Sequence, residues 1–194
     1  EMERGYDVLF RQLLPKMVER LDSTRFYMHS SPYEANWGRP ESWKIADSHN
    51  WGTWHGRKPF ESFDSSIPRF MSEYGFQAFP EMKTIRMFAE EKDFELESPV
   101  MNAHQKATIG NALIKQTMGL YYKVPARFED LVYMGLVLQG QGMRHGMEAH
   151  RRNRPYCMGS LFWQLNDSWP VVSWSAIDYY GNWKALMYQS KRAF

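Results

Sequence analysis

Several features that would place a chain in a class at once are missing from this sequence. It has one cysteine, Cys157, so no internal disulfide framework can form. Nothing around Cys157 would activate a thiol, and it reads as a buried structural residue. No run of about 18 apolar residues occurs, so no segment reads as a membrane span. Neither charge dominates. With 24 Lys and Arg against 22 Asp and Glu, the formal net charge is +2. That balance argues against a nucleic-acid or membrane-surface role driven by bulk charge. No Gly-rich phosphate loop is present, because Gln139-Gly-Gln-Gly142 lies inside a helical pattern without the Lys and Ser/Thr of a P-loop. Glu1–Phe10 is charged and lacks the apolar stretch of a signal peptide. Opening on Glu1, the chain reads as a processed product or an excised piece, and its compartment stays open.

What is present points to a packed protein. The 194 residues are 43% hydrophobic, which suits one domain or part of a larger one. Aromatic residues make up 16%, with 8 Trp. Such a content builds either a heavy aromatic core or an aromatic pocket of the kind that receives sugars. No internal repeat or low-complexity tract is evident.

Periodicity outlines the elements. Apolar residues from Val8 to Leu21 recur at helical spacing within Tyr6–Leu21, with Pro15 as a point of weakness. Arg25–Ser31 reads as a short strand ended by Pro32, and Asp47–Gly52 as another. Pro68–Gly75 is compact and apolar, as a buried strand is. Pro80 opens a helix reaching Phe88. Val100–Tyr122 and Phe128–Arg151 read as helices, Gly159–Leu165 as a strand, and Trp183–Phe194 as a last helix capped by Asn182. Strands alternating with helices predict an α/β fold. About four parallel strands with flanking helices amount to half of a (β/α)8 TIM barrel.

Glu73 stands at the end of a short apolar run, where a barrel strand presents side chains to its active-site face. A strand-end salt bridge is the competing reading. His145, Glu148 and His150 cluster on a helix, but not at metal-ligand spacing, and Arg144, Arg151 and Arg152 surround them. A solvated helix face is the simpler reading, and no metal is predicted.

Longer motifs sharpen this picture. Ser72-Glu-Tyr-Gly-Phe-Gln-Ala-Phe-Pro80 resembles the nucleophile segment of β-mannosidases of glycoside hydrolase family 2. Gly159-Ser-Leu-Phe-Trp-Gln-Leu-Asn-Asp-Ser-Trp169, with Trp174 and Asp178-Tyr-Tyr-Gly-Asn-Trp-Lys184, resembles that family's eighth barrel strand and closing helix. Ser30-Ser-Pro32 and Asp47-Ser-His-Asn-Trp51 are smaller matches. The resemblance implies a retaining exo-glycosidase that releases terminal β-D-mannose by double displacement, with Glu73 as nucleophile and no metal or organic cofactor. Trp163 would form the platform under the sugar. His49 would reach a sugar hydroxyl or orient Glu73, with Asn50 beside it as a further substrate-binding residue, Trp51, Trp54 and His55 would line the entrance, and Trp37, with Arg39, its rim. A core or backbone-capping role is the alternative for Trp163 and His49, and core packing for Tyr74.

The family's acid/base is a Glu following Asn, and no Asn-Glu pair occurs here. Residues 1–194 thus resemble the C-terminal half of a catalytic barrel, with an upstream half and β-sandwich domains absent. Such a piece is expected to be inactive alone and to self-associate through its open edge. The implied partner is a β-mannoside oligosaccharide, with no nucleic acid or membrane. The resemblance is compatible with a periplasmic or secreted full-length enzyme. A family 2 β-galactosidase and a non-catalytic carbohydrate-binding half-barrel stay open as alternatives. Against the galactosidase, Gly75–Phe79 lacks the His and Met usual after its Glu-Tyr.

Overall fold

The computed structural model describes residues 1–33 and 43–194. The chain opens with helix α1 (Met2–Tyr6), a wider π-helical stretch (Asp7–Leu13) and α2 (Leu14–Leu21), joined without a break in helical backbone. Pro15 explains the wide stretch. It has no N–H to return to the preceding turn, and its ring crowds the carbonyl four residues back. The sequence predicts this amphipathic helix, but its apolar side is not buried. Val8, Leu9, Leu13 and Leu21 are all exposed.

Two strands follow, β1 (Ser48–Asn50) and β2 (Met71–Tyr74), paired in parallel. Residues 159–163 run along the other side of β2. There Met71 N–H donates to Gly159 O, Leu161 N–H to Met71 O and Trp163 N–H to Tyr74 O, at 2.7–2.9 Å. Among the described residues, the expectation of about four parallel strands is therefore corrected to two strands and one extended segment beside them. Arg25–Ser31 is not a strand. Its start is drawn into a local turn, where Thr24 and Arg25 both bind the Asp22 carboxylate, and its end is tied down by side chains rather than by a ladder.

The other helices are α3 (Met82–Ile85), α4 (Pro99–Ala103), α5 (Gly110–Tyr121), α6 (Phe128–Arg152) and α7 (Ala185–Ala193). The fold is thus mixed helix and strand with a small parallel sheet. The helix expected over Val100–Tyr122 divides before Gly110. In the gap His104 stacks on Phe88 and Trp169, and its Nδ1 lies 2.6 Å from Pro170 O. The last helix begins at Ala185, because Asn182 holds the Asp178 carboxylate instead of capping.

The 25-residue α6 organises the core. Its glycines are seats for aromatic rings. A Cβ on Gly142 would lie 2.3 Å from the Phe60 ring, and one on Gly135 or Gly146 would lie 3.1 Å from Phe79 or Phe63. Gln139 between them donates to Phe76 O at 2.8 Å. Cys157 is buried, and burial raises its thiol.

Lys184 is fully buried where the 173–184 segment returns to the core, and its Nζ donates to Ala78 O and Ser173 O, each at 3.2 Å. Burial pushes its pKa down to about 7, against the pull of Asp167 and Asp178 towards the charged form. The unfolded chain, with this amine near its ordinary 10.5, binds the extra proton between those two values. Stability is therefore expected to rise as the pH climbs from about 7 to about 10. Lys184→Met should flatten that rise. Urea unfolding of both proteins across this range is the check, and parallel pH curves would contradict it.

Candidate active site

The pairing of β1 with β2 sets the site. Ser48 faces Met71, yet His49 faces Glu73, so the register slips by one residue and Ser72 is the extra one. Such a bulge bends the strand and re-aims the side chains beside it. Ser72 turns its hydroxyl to Asp47 Oδ2 (2.6 Å) and Ser48 O (3.2 Å). Glu73 turns the other way, towards His49.

Glu73 Oε2 lies 2.7 Å from His49 Nδ1, a close approach without the alignment of a hydrogen bond. The same oxygen accepts the indole N–H of Trp51 at 3.1 Å. Both side chains of this contact are largely buried, at 11% and 18% exposure. Behind the ring, His49 Nε2 lies 3.3 Å from the Ser31 hydroxyl, which donates to Asp47 Oδ2 at 2.6 Å. Tyr33 N–H donates to the other Asp47 oxygen at 2.8 Å. Burial alone would raise the Asp47 carboxyl. The hydroxyls of Ser31 and Ser72, the Tyr33 amide and nearby His49 outweigh it and hold the pKa below the usual carboxylate value.

The aromatic residues divide into rim and core. Trp51 meets His55 and Trp174 at ring distances of 5.6 and 5.9 Å. Trp163 is 45% exposed, with its backbone bonded to the residue after Glu73. His55 is exposed beyond Trp51. Trp54, expected at the entrance, is fully buried, packed edge-on against Phe76 and Trp174, and out of reach of a ligand. The side-chain oxygen of Asn50 closes a turn by accepting Gly52 N–H at 2.9 Å. Trp37 and Arg39 lie outside the described residues.

Sequence reasoning did not single out Ser31, Asp47, Ser72 or Trp174 as site residues. The first three sit in motifs quoted for their family likeness, and only the bulge reveals that their side chains converge. Tyr74 is core, as anticipated. Fully buried, it joins His150 through Ser160, with both contacts 2.8 Å, and burial pushes its phenol up. His150 is correspondingly not on a solvated face. It is 1% exposed, and burial pushes it down to about 4. Among the described residues no group of His, Cys, Asp and Glu is placed to hold a metal. A separate cavity of about 330 Å³, lined by Arg151, Arg154 and Cys157 among others, opens near Ser160, at the strand ends away from Glu73.

What the arrangement offers is a mostly buried carboxylate steadied by two nitrogens at the C-terminal end of a parallel strand, beside exposed aromatic surface. No family model matches the chain. Curated relatives do. The chain is 34% identical over 192 residues to β-mannosidase B of Aspergillus terreus and to that of Aspergillus niger, covering 95% of this chain and 22% of each relative. The crystal structure of β-D-mannosidase from Dictyoglomus thermophilum superposes with a TM-score of 0.90 at 38% identity, over 97% of this chain and 23% of that one. The exo-chitosanase CsxA of Amycolatopsis orientalis shares the fold at a TM-score of 0.61 and 19% identity, over 76% of this chain and 19% of that one. The chain thus spans less than a quarter of the length of the relatives it matches.

Gly75 ties the site to the scaffold. A Cβ there would lie 2.4 Å from Trp163 O, 3.0 Å from the Trp174 ring and 3.2 Å from the Trp51 ring. Gly75→Ala must part β2 from the 163 segment, and a destabilisation of roughly 1–3 kcal/mol is expected. A lowered urea midpoint with altered tryptophan fluorescence would report it. A midpoint equal to that of the parent would show the seam to be yielding.

Proposed function

This chain is a homologue of the β-mannosidases along nearly its whole length, and on that premise we propose that it carries the nucleophile of a retaining exo-β-mannosidase of glycoside hydrolase family 2. The observation that supports this reading is the Glu73 carboxylate, held at Oε2 by His49 and Trp51 at the end of β2. Both contacts fall on one oxygen, so Oε1 is the attacking atom.

In the proposed reaction Oε1 forms a bond to the anomeric carbon as the bond to the leaving group breaks. Water then cleaves the glycosyl ester and releases mannose with retention. A second carboxyl, about 5–5.5 Å away in retaining enzymes, must protonate the leaving oxygen and later activate the water. In this reading it comes from outside residues 1–194, which form part of a (β/α)8 catalytic domain. The partner is a terminal β-mannoside of an oligosaccharide, with Trp163, Trp51 and His55 offering rings to its C–H faces. The exposed Leu161 and Leu165 mark the edge where a lone copy of the chain would self-associate.

A substrate whose leaving group needs no proton tests the nucleophile without the acid. With 2-deoxy-2-fluoro-β-mannosyl fluoride, the Glu73–carbon bond forms, the carbon–fluorine bond breaks and fluoride departs. The expected result is a single sugar adduct on Glu73 by peptide mass spectrometry, with labelling slowed on the order of 10³-fold or more in Glu73→Gln. A labelled galactosyl analogue in its place would favour the β-galactosidase reading. A folded chain that binds mannosides but is never labelled would favour a binding module.

A further inference from the structure

The cavity near Ser160 lies apart from Glu73 and carries charge of one sign. Its volume of about 330 Å³ falls within the range of about 300–1,000 Å³ that small-molecule sites occupy. Arg151 and Arg154 line it, and among the described residues no Asp or Glu does. Arg152, between them, is turned away to Asp64 at 2.8 Å. Arg151 donates to Ala193 O and has further N–H groups to offer, while the Arg154 guanidinium has no side-chain partner among the described residues. A helix C-terminus ordinarily repels an anion, because its last carbonyls are unpaired. At this end of α6 the carbonyls of Ala149, His150, Arg151 and Asn153 each accept a hydrogen bond, from the Asn153 side chain and the Asn153, Arg154 and Cys157 amides, at 2.8–3.2 Å. The Cys157 thiol, raised by burial, adds no negative charge at neutral pH.

His150 also lines the cavity. It is 1% exposed, and its Nε2 has no hydrogen-bond partner among the described residues. The proton on that atom can be assigned. Burial holds the Tyr74 phenol above its usual pKa, so it keeps its proton. Its partner is Ser160 Oγ at 2.8 Å, which lies 2.8 Å from His150 Nδ1. If Ser160 donated to Tyr74, the phenol proton would be left in the core without an acceptor among the described residues. Donation from Tyr74 to Ser160 and from Ser160 to Nδ1 satisfies both hydroxyls. The imidazole is neutral, because burial pushes it down to about 4, and its one proton is then on Nε2.

From this arrangement we propose that the cavity is a second ligand site, separate from the carbohydrate site, that takes a small phosphate monoester. Arg151 and Arg154 hold the phosphate oxygens with their planar forks, and the His150 Nε2–H adds a neutral donor. Met158 and Phe194, each 58% exposed, receive the organic group. Inorganic phosphate meets the same donors but covers none of that apolar surface. Nothing in this proposal depends on Glu73 or on the mannosidase reading.

The test uses the whole 194-residue chain with phenyl phosphate as the probe, at fixed ionic strength balanced by chloride so that screening stays constant. Saturable shifts of the backbone amides of residues 150–160 and of the His150 Nε2–H are expected, with the Trp51 indole N–H unmoved. By calorimetry, Arg154→Ala is expected to bind about threefold or more weakly. Arg127→Ala, at the other end of α6 where the guanidinium meets Glu129 and Asp130, is expected to bind as the parent does. Inorganic phosphate should bind at the same amides severalfold more weakly than phenyl phosphate. Benzoate binding as tightly as phenyl phosphate overturns the choice of a phosphate, and inorganic phosphate binding as tightly overturns the role of Met158 and Phe194. Absence of saturable shifts, shifts centred on Trp51, or an Arg154→Ala variant equal to the parent overturns the site. Should that variant not fold, the amide map of the parent chain decides alone.

Discussion

The slip of one residue between β1 and β2 is the constraint on which the candidate site depends. With an even register, His49 would stand opposite Ser72 and Glu73 would alternate away from it. Because Ser72 is extra, two consecutive residues of β2 serve different partners. Ser72 binds the Asp47 carboxylate, and Glu73 meets the imidazole that the same carboxylate steadies through Ser31. A three-residue strand against a four-residue strand holds few ladder bonds. The Asp47 cluster supplies what they lack, with two hydroxyls and one backbone amide converging on one buried carboxylate. This is a charge-assisted set, stronger per bond than the neutral ladder.

That slip has to be held against something rigid, and α6 provides it. The glycines at 135, 142 and 146 let the rings of Phe79, Phe60 and Phe63 come close to the helix backbone. Phe60 and Trp54 in turn meet Phe76, three residues after Glu73. On the other side, Gly75 lets the Trp163 carbonyl and two tryptophan rings approach β2 directly. Small residues where aromatics must pass thus carry the position of the carboxylate from the helix layer to the sheet. An added methyl at any of these points has no empty volume to enter.

How much of this was legible in the sequence follows from how local each signal is. β2 and α6 were readable because burial on one side leaves a clear pattern in the chain itself. Glu73 was readable because it ends such a pattern and because the nonamer around it has a family likeness. Arg25–Ser31 was not, since an extended segment becomes a strand only if a neighbour supplies the ladder, and its described bonds are to side chains instead. Trp54 was misplaced for a similar reason. Its spacing from Trp51 says that both lie in one turn, but which ring faces out is decided by Phe76 and Trp174, which are distant in sequence. His150 and Lys184 look like surface residues by type. Only the packing shows that one sits against Tyr74 and the other against two backbone carbonyls.

The burial of Glu73 is then a problem of desolvation. Removing a carboxylate from water costs several kcal/mol, and one partner seldom repays it. Glu73 is not left with one partner. The Trp51 N–H donates to the same oxygen that the imidazole nitrogen approaches, and the imidazole is itself backed by Ser31 and, through it, by the Asp47 charge. Donors fixed in advance do what water would do, without having to reorient when charge moves. A carboxylate so held keeps one oxygen clear of these contacts, which a nucleophile requires and a structural salt bridge does not. The two nitrogens meet at Oε2, and the proposal of a nucleophile assigns the attack to the other oxygen.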